Sequence, residues 1–143
     1  MSTADIITRE QIEKTLAWIK SSFASAETMN ARQWITTFFY PDAAVAFNDQ
    51  SPTKGHEAMV SYMDHFHSTL SSIKHIIERV DVLSDRVYIQ VHVEFIVKND
   101  PEQKTITFEG IVTAEKKIDE DKVSLYKIYA DKGRLEQRIK MFH

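Results

Sequence analysis

The chain has 143 residues, 43% of them hydrophobic and 27% charged, with 18 basic against 21 acidic residues and no cysteine. This is the profile of one globular domain over residues 1–143, and it excludes a disulfide scaffold, a thiolate nucleophile and Cys-ligated zinc. No basic stripe suits a nucleic-acid partner, and no apolar run nears the roughly 20 residues that span a bilayer.

The opening "MSTADIITRE" lacks the apolar stretch of a signal peptide, so a cytoplasmic location is expected. Thr8 and Gln11 form a capping-box pair at the start of a first helix, and Ile12, Leu16, Ile19 and Phe23 follow as its apolar stripe. "SAETMN" breaks the pattern. Asn30 then caps a shorter helix that buries Trp34, Ile35 and Phe38, and Pro41 ends it. "AAVAF" reads as a short strand, "NDQSPTKG" as turn chemistry, and Gly55 to Leu70 as a third helix striped by Met59, Met63, Phe66 and Leu70.

After Leu70 the period changes from helical to twofold. Residues 72–83, 86–97, 105–118 and 122–131 are long runs rich in Val, Ile, Tyr, Phe and Thr, separated by hairpin-loop chemistry. In the second run Val87, Ile89, Val91, Val93 and Phe95 alternate with Tyr88, Gln90, His92 and Glu94. In the third, Ile106, Phe108, Gly110, Val112 and Ala114 alternate with polar residues, and Gly110 marks a bend or a close approach. The sum is α+β: three N-terminal helices packed on one face of a curved, mostly antiparallel sheet.

That order resembles the cone-shaped fold of the nuclear transport factor 2-like superfamily, over roughly Gln11 to Gln137. Its carriers are "WITTFFYPDAAVAF", "TKGHEAMVSYM", "IKHIIERVDVLSDRVYIQVHVEF" and "DKVSLYKIYADKG". The last two are similar to the SnoaL-like polyketide-cyclase branch, in which a histidine opens one long strand and an aspartate closes the final one. The resemblance implies an apolar hollow in which relatives run acid–base isomerisation, cyclisation, dehydration or epoxide hydrolysis on small hydrophobic molecules. Other relatives only bind a ligand or a partner, so the fold does not fix the function.

Carried over residue by residue, the catalytic carboxylate of ketosteroid isomerases falls on Phe47, their oxyanion-hole tyrosine near Phe23, and their protonated acid near Thr113. All three groups are missing, so that route to steroid isomerisation is not expected. The SnoaL-type pair is present as His75 and Asp131. His75 and Asp131 would carry protons, and Tyr129, two residues before Asp131 on one strand face, would hydrogen-bond a substrate oxygen. Each has a plainer alternative: a backbone-bonded strand histidine, and an aspartate that caps the turn "DKG". One parity problem stands. His75 shares a face with Ile73 and Ile77, but also with Arg79 and Asp81, while Val80 and Val82 fall on the other; a bulge would reconcile them.

Trp34, Phe38, Tyr40, Phe47, Tyr62 and Phe66 are core aromatics that a cone fold would turn into ligand-binding wall. His65 and His67 cannot share a metal, because residues two apart on a helix point about 200° apart. "HEAMV" lacks the second histidine of a zincin motif. Neither metal nor organic cofactor is expected. The partners expected are a small hydrophobic ligand and a second copy, paired through the outer sheet face that carries Tyr88, Gln90, His92 and Glu94. The rival to an acid–base isomerase, cyclase or dehydratase is a non-catalytic ligand-binding or dimerisation module.

Overall fold

Helix α1, Arg9–Glu27, begins where the capping box puts it: the Thr8 N–H donates to Gln11 Oε1 at 3.0 Å and the Gln11 N–H to Thr8 Oγ1 at 3.1 Å. The computed structural model describes residues 6–143, so the reading of the first five residues as free of a leader lies outside it. The buried face of α1 is rotated from the expected stripe, because Ile12 is exposed while Thr15 and Ser22 are buried. Local hydrogen bonds make that possible. Thr15 donates to the Gln11 carbonyl, and Ser22 accepts the Trp34 indole N–H at 3.1 Å.

Helix α2, Ala31–Phe38, is capped by Asn30 and buries Ala31, Trp34, Ile35 and Phe38. The chain turns directly into strand β1, Phe39–Phe47, which is longer than expected because it includes Pro41. Pairing with the sheet shifts register between Phe39 and Ala44, and a proline is tolerated in such an interruption. A two-residue strand β2, Thr53–Lys54, lies within the segment read as a turn. Gly55, at φ 85, then leads into helix α3, His56–His67.

Strands β3 (Leu70–Val82), β4 (Arg86–Val97), β5 (Thr105–Glu115) and β6 (Val123–Ala130) form the antiparallel meander. The six-stranded sheet has the order β2-β1-β6-β5-β4-β3, and β1 lies parallel to β6. Its inner face, covered by α1 to α3, holds the core: Ile89, Val91, Val93, Phe95, Val112 and Tyr126 sit against Ile19, Trp34, Ile35 and Met59. At Gly110 a Cβ would lie 2.7 Å from the Tyr129 carbonyl oxygen, so the glycine serves the close approach of β6.

The β3–β4 register shifts between Ile77 and Arg79. The bulge turns Ile73, His75 and Ile77 to the inner face on one parity, then Val80 on the other. This resolves the parity problem of strand β3.

A fourth helix, α4 (Gly133–Phe142), was not expected. Leu135, Ile139 and Phe142 pack onto the core. A buried ion pair pins the helix: Arg138 Nη2 and Nε donate to the two oxygens of Asp100 at 2.8 and 2.9 Å. The same carboxylate accepts the Glu102 and Lys104 N–H groups, so the β4–β5 loop and α4 are one unit. No helix among the described residues is long and apolar enough to cross a membrane.

Candidate functional site

Between α1, α2 and α3 and the inner sheet face lies a cavity of about 60 Å³. That is room for about four waters. Strand alternation supplies Val91, Val93 and Phe95 from β4, Phe108 and Val112 from β5, and Tyr126 and Ile128 from β6. The helices close it with Ala26, Trp34, Met63, Phe66 and His67. Among these side chains the polar atoms belong to Trp34, His67, His75 and Tyr126, and the Trp34 N–H is already used by Ser22.

His75 enters from β3, opposite Val93, just before the bulge. Its Nδ1 lies 2.9 Å from Glu27 Oε2, and the same oxygen accepts the His75 backbone N–H at 2.6 Å. A carboxylate at Nδ1 makes that nitrogen the donor and leaves Nε2 with the lone pair. The ring is stacked on Phe23, with centroids 4.3 Å apart and planes 2° apart. Burial pushes the imidazole below its ordinary pKa, and the hydrogen bond and charge of Glu27 pull it partly back. The group is therefore a neutral, oriented base at neutral pH.

Glu27 was missed in the sequence. It is the last residue of α1, where the macrodipole is negative, and the last turn of that helix has no basic residue. An acidic residue so placed breaks a local preference, and that was the available signal. Its compensation is the pair of N–H groups of His75, 48 residues away.

Tyr126 was also missed. It is 5% exposed, packs edge-on against Trp34 and Phe39, and burial raises the pKa of its phenol strongly. It therefore stays protonated as a donor. His67 completes the polar set: it is buried, and its Nδ1 finds no hydrogen-bond partner among the described residues.

The expected convergence of His75 with Asp131 and Tyr129 is corrected. Tyr129 is 44% exposed on the outer face, opposite Ile111, because the inner parity of β6 belongs to Tyr126 and Ile128. Asp131 lies just past the end of β6, is exposed, and accepts the Gly133 N–H at 2.9 Å, the work of a turn cap. Of the six aromatics, Trp34, Phe47 and Phe66 line the cavity. The other three stand apart from it. Phe38 meets Trp18 edge-on, Tyr40 donates to Glu120, and Tyr62 stands behind Phe47, 6.0 Å between centroids.

On the outer face Glu78, His92 and Glu109, from three adjacent strands, bring one potential ligand atom each within 4.8 Å of one another. The bulge supplies Glu78 to this group, which is open to solvent and across the sheet from the cavity.

The fold is shared with solved structures of low sequence identity. A protein from Jannaschia sp. CCS1 assigned as a SnoaL-like polyketide cyclase superposes with TM-score 0.71 at 13% identity, covering 97% of each chain. TerC, co-crystallised with polyporic acid, gives 0.70 at 14%, over 87% of this chain and 97% of its own. SalBIII, an epoxide hydrolase/cyclase-like enzyme of pyran ring formation in salinomycin, gives 0.70 at 10%, over 85% and 94%. No curated protein sequence matches. The sequence model of the nuclear transport factor 2 (NTF2) domain matches residues 16–134, and the chain belongs to that family.

Proposed function

We propose that this chain is a SnoaL-like cytoplasmic protein that binds a small, flat, hydrophobic carbonyl compound in the cavity and moves a proton on it without a cofactor. The reaction class is isomerisation, cyclisation or dehydration. His75 Nε2 takes a proton from carbon α to the carbonyl; the C–H electron pair becomes the enolate, and the oxygen receives a hydrogen bond from Tyr126. Return of the proton at a second position completes an isomerisation; in a dehydration the imidazolium instead gives its proton to the β-hydroxyl, which leaves as water while the enolate pair forms the C=C bond. Glu27 keeps the tautomer and stabilises the imidazolium while it exists. The observation that carries this reading is the 2.9 Å contact of Glu27 with Nδ1 of an imidazole that lines a mostly apolar cavity.

The test is proton exchange of β-tetralone in heavy water, followed by NMR. The wild-type chain should accelerate exchange, and His75→Gln should cost about 10²–10⁴-fold. Tyr126→Phe should cost about tenfold or more. Binding without acceleration would favour the second reading, a ligand carrier, which rests on the absence of any carboxylate among the described residues of the cavity wall and on Phe47 in the position of the isomerase acid.

The outer face supports a homodimer in this reading. Ile76, Tyr88, Ile111 and Tyr129, from four adjacent strands, are each between 37% and 46% exposed. Light scattering should give twice the monomer mass, and Ile111→Lys should halve it.

A further inference from the structure

Half of strand β5 has an edge that no strand covers. Residues 110–115 pair with β6, from Gly110 opposite Ala130 to Glu115 opposite Leu125, and β6 ends there. Residues 105–109 keep β4 on their other side but have neither a strand nor a backbone hydrogen bond on this one among the described residues. The N–H and C=O groups on that side are left to water. A cleft of about 360 Å³ runs along this edge, lined on the strand side by Lys104, Thr105, Ile106 and Thr107. Neighbouring strand residues point to opposite faces, so a cleft that meets several in succession lies at the edge and not on a face. Its other wall is one stripe of α4, where Arg134, Gln137, Arg138 and Met141 fall at i, i+3, i+4 and i+7. A free strand edge facing a helix is a groove in which an extended peptide can add as one more strand.

Charge narrows the occupant. No carboxylate lines the cleft. Arg138 is held by Asp100 and Glu102, but Lys104 and Arg134 have no carboxylate partner among the described residues. Arg134 stands in the first turn of α4, where the macrodipole disfavours a cation, so its place there has no local support. Pairing this edge with the same edge of a second copy would bring like charges into one cleft. We infer that residues 105–109 take an extended, carboxylate-bearing peptide segment of a partner protein as an added strand, antiparallel to β5 and in line with β6, its acidic side chains drawn to Lys104 and Arg134. Five residues of edge span about 17 Å, the length of an ordinary strand. Met141, 63% exposed, adds an adaptable apolar contact. The surface is separate from the cavity, since no residue lines both.

The experiment titrates the full chain, labelled with ¹⁵N, with an acetylated and amidated pentapeptide of alternating glutamate and valine, reading backbone amides by NMR. Residues 105–109 and the α4 stripe should shift while the cavity residues stay still. A fully N-methylated analogue, which cannot donate to a strand edge, should bind about tenfold more weakly or worse. A lysine-for-glutamate analogue should lose about fivefold or more. Arg134→Glu should weaken the acidic peptide about fivefold with an unchanged or higher melting temperature, because an anion suits that helix end. Equal binding of the N-methylated peptide, with inorganic phosphate displacing it, would overturn strand addition and leave a small-anion site. Shifts at residues 105–109 that grow with protein concentration alone would give the edge to a second copy and overturn the peptide. No shift with the acidic peptide at millimolar concentration would end the proposal and leave the reading of the cavity untouched.

Discussion

The two faces of one sheet divide this molecule. Along β3 and β4, His75 on the inside and His92 on the outside sit on adjacent strands, within a few residues of one another, yet they meet different physics. His75 has one carboxylate partner at hydrogen-bond distance, an aromatic ring stacked on it and apolar neighbours. His92 has two carboxylates, Glu78 and Glu109, at 3.9 and 3.8 Å, and water around them. Charge interactions in the wet cluster are screened, while in the dry one each polar contact decides a protonation state. Titratable side chains are common on both faces, but only burial gives one of them a defined chemical task.

The largest break of that contrast is the loss of His75 itself, set out above. Glu27→Gln sharpens it. The variant keeps an acceptor for the His75 N–H groups but removes the charge, so tetralone exchange should fall about tenfold or more. The pH profile carries the sign. His75 works as a base when neutral, so the wild-type rate rises with pH and levels above a pKa that burial holds below the ordinary value. Because Glu27 raises that pKa, the variant's inflection should move to lower pH. An unmoved inflection would remove Glu27 from the site.

Gly110→Ala probes the join between the faces. The added methyl meets the Tyr129 backbone oxygen at 2.7 Å and the Ala130 side chain at 3.0 Å. Neither can retreat without moving β6, so the variant should lose about 1–3 kcal/mol in urea unfolding. A smaller loss would mean that the β5–β6 pairing is more pliable than drawn.

Acid should unfold the protein in two steps with separate origins. His67 and His75 have folded pKa values below their unfolded ones, so the stability that goes with keeping them neutral is complete above about pH 6.5 and is lost as pH falls below it. Asp100 is held at about 2 by Arg138, so its contribution is complete above about pH 4 and is lost as pH falls towards 2. Unfolding midpoints should therefore be flat above neutrality, decline first below pH 6.5 and decline again below pH 4. His67→Leu should flatten part of the first decline. A flat profile down to pH 5 would contradict the burial of both rings.

Much of this was legible in the residues. The alternation in β4 and β5 is clean because one face is dry, while the conflicting parity around His75 and Val80 left open the bulge that the structure contains. The failures have physical reasons. Strand β6 has Leu125 and Tyr129 on one parity and Tyr126 and Ile128 on the other, so hydrophobicity could not choose between the tyrosines. Glu27 finds its partner across 48 residues, a contact that no local pattern encodes. The stripe of α4 is short, and its anchor is Arg138 on a carboxylate 38 residues upstream. His67 drew only a metal reading, set aside on helix geometry, because nothing in its neighbours reveals that a nitrogen is left without a partner.

Asp131 marks the smallest effect and the sharpest boundary. Its carboxylate accepts one backbone N–H, from Gly133, in solvent at the start of α4. Losing this turn bond costs about 0.5–1 kcal/mol, because water replaces part of it and the carboxylate also loses its favourable place beside the helix N-terminus. Asp131→Ala should therefore lower stability by that amount and fray the first turn of α4, visible as faster amide exchange at Gly133 and Arg134. Tetralone exchange should stay at the wild-type rate, since this carboxylate lies past the end of β6, exposed and bonded to Gly133, and does not line the cavity. A fall of tenfold or more in an otherwise folded Asp131→Ala variant would return this carboxylate to the chemistry and show that the end of β6 turns inward when a ligand is bound.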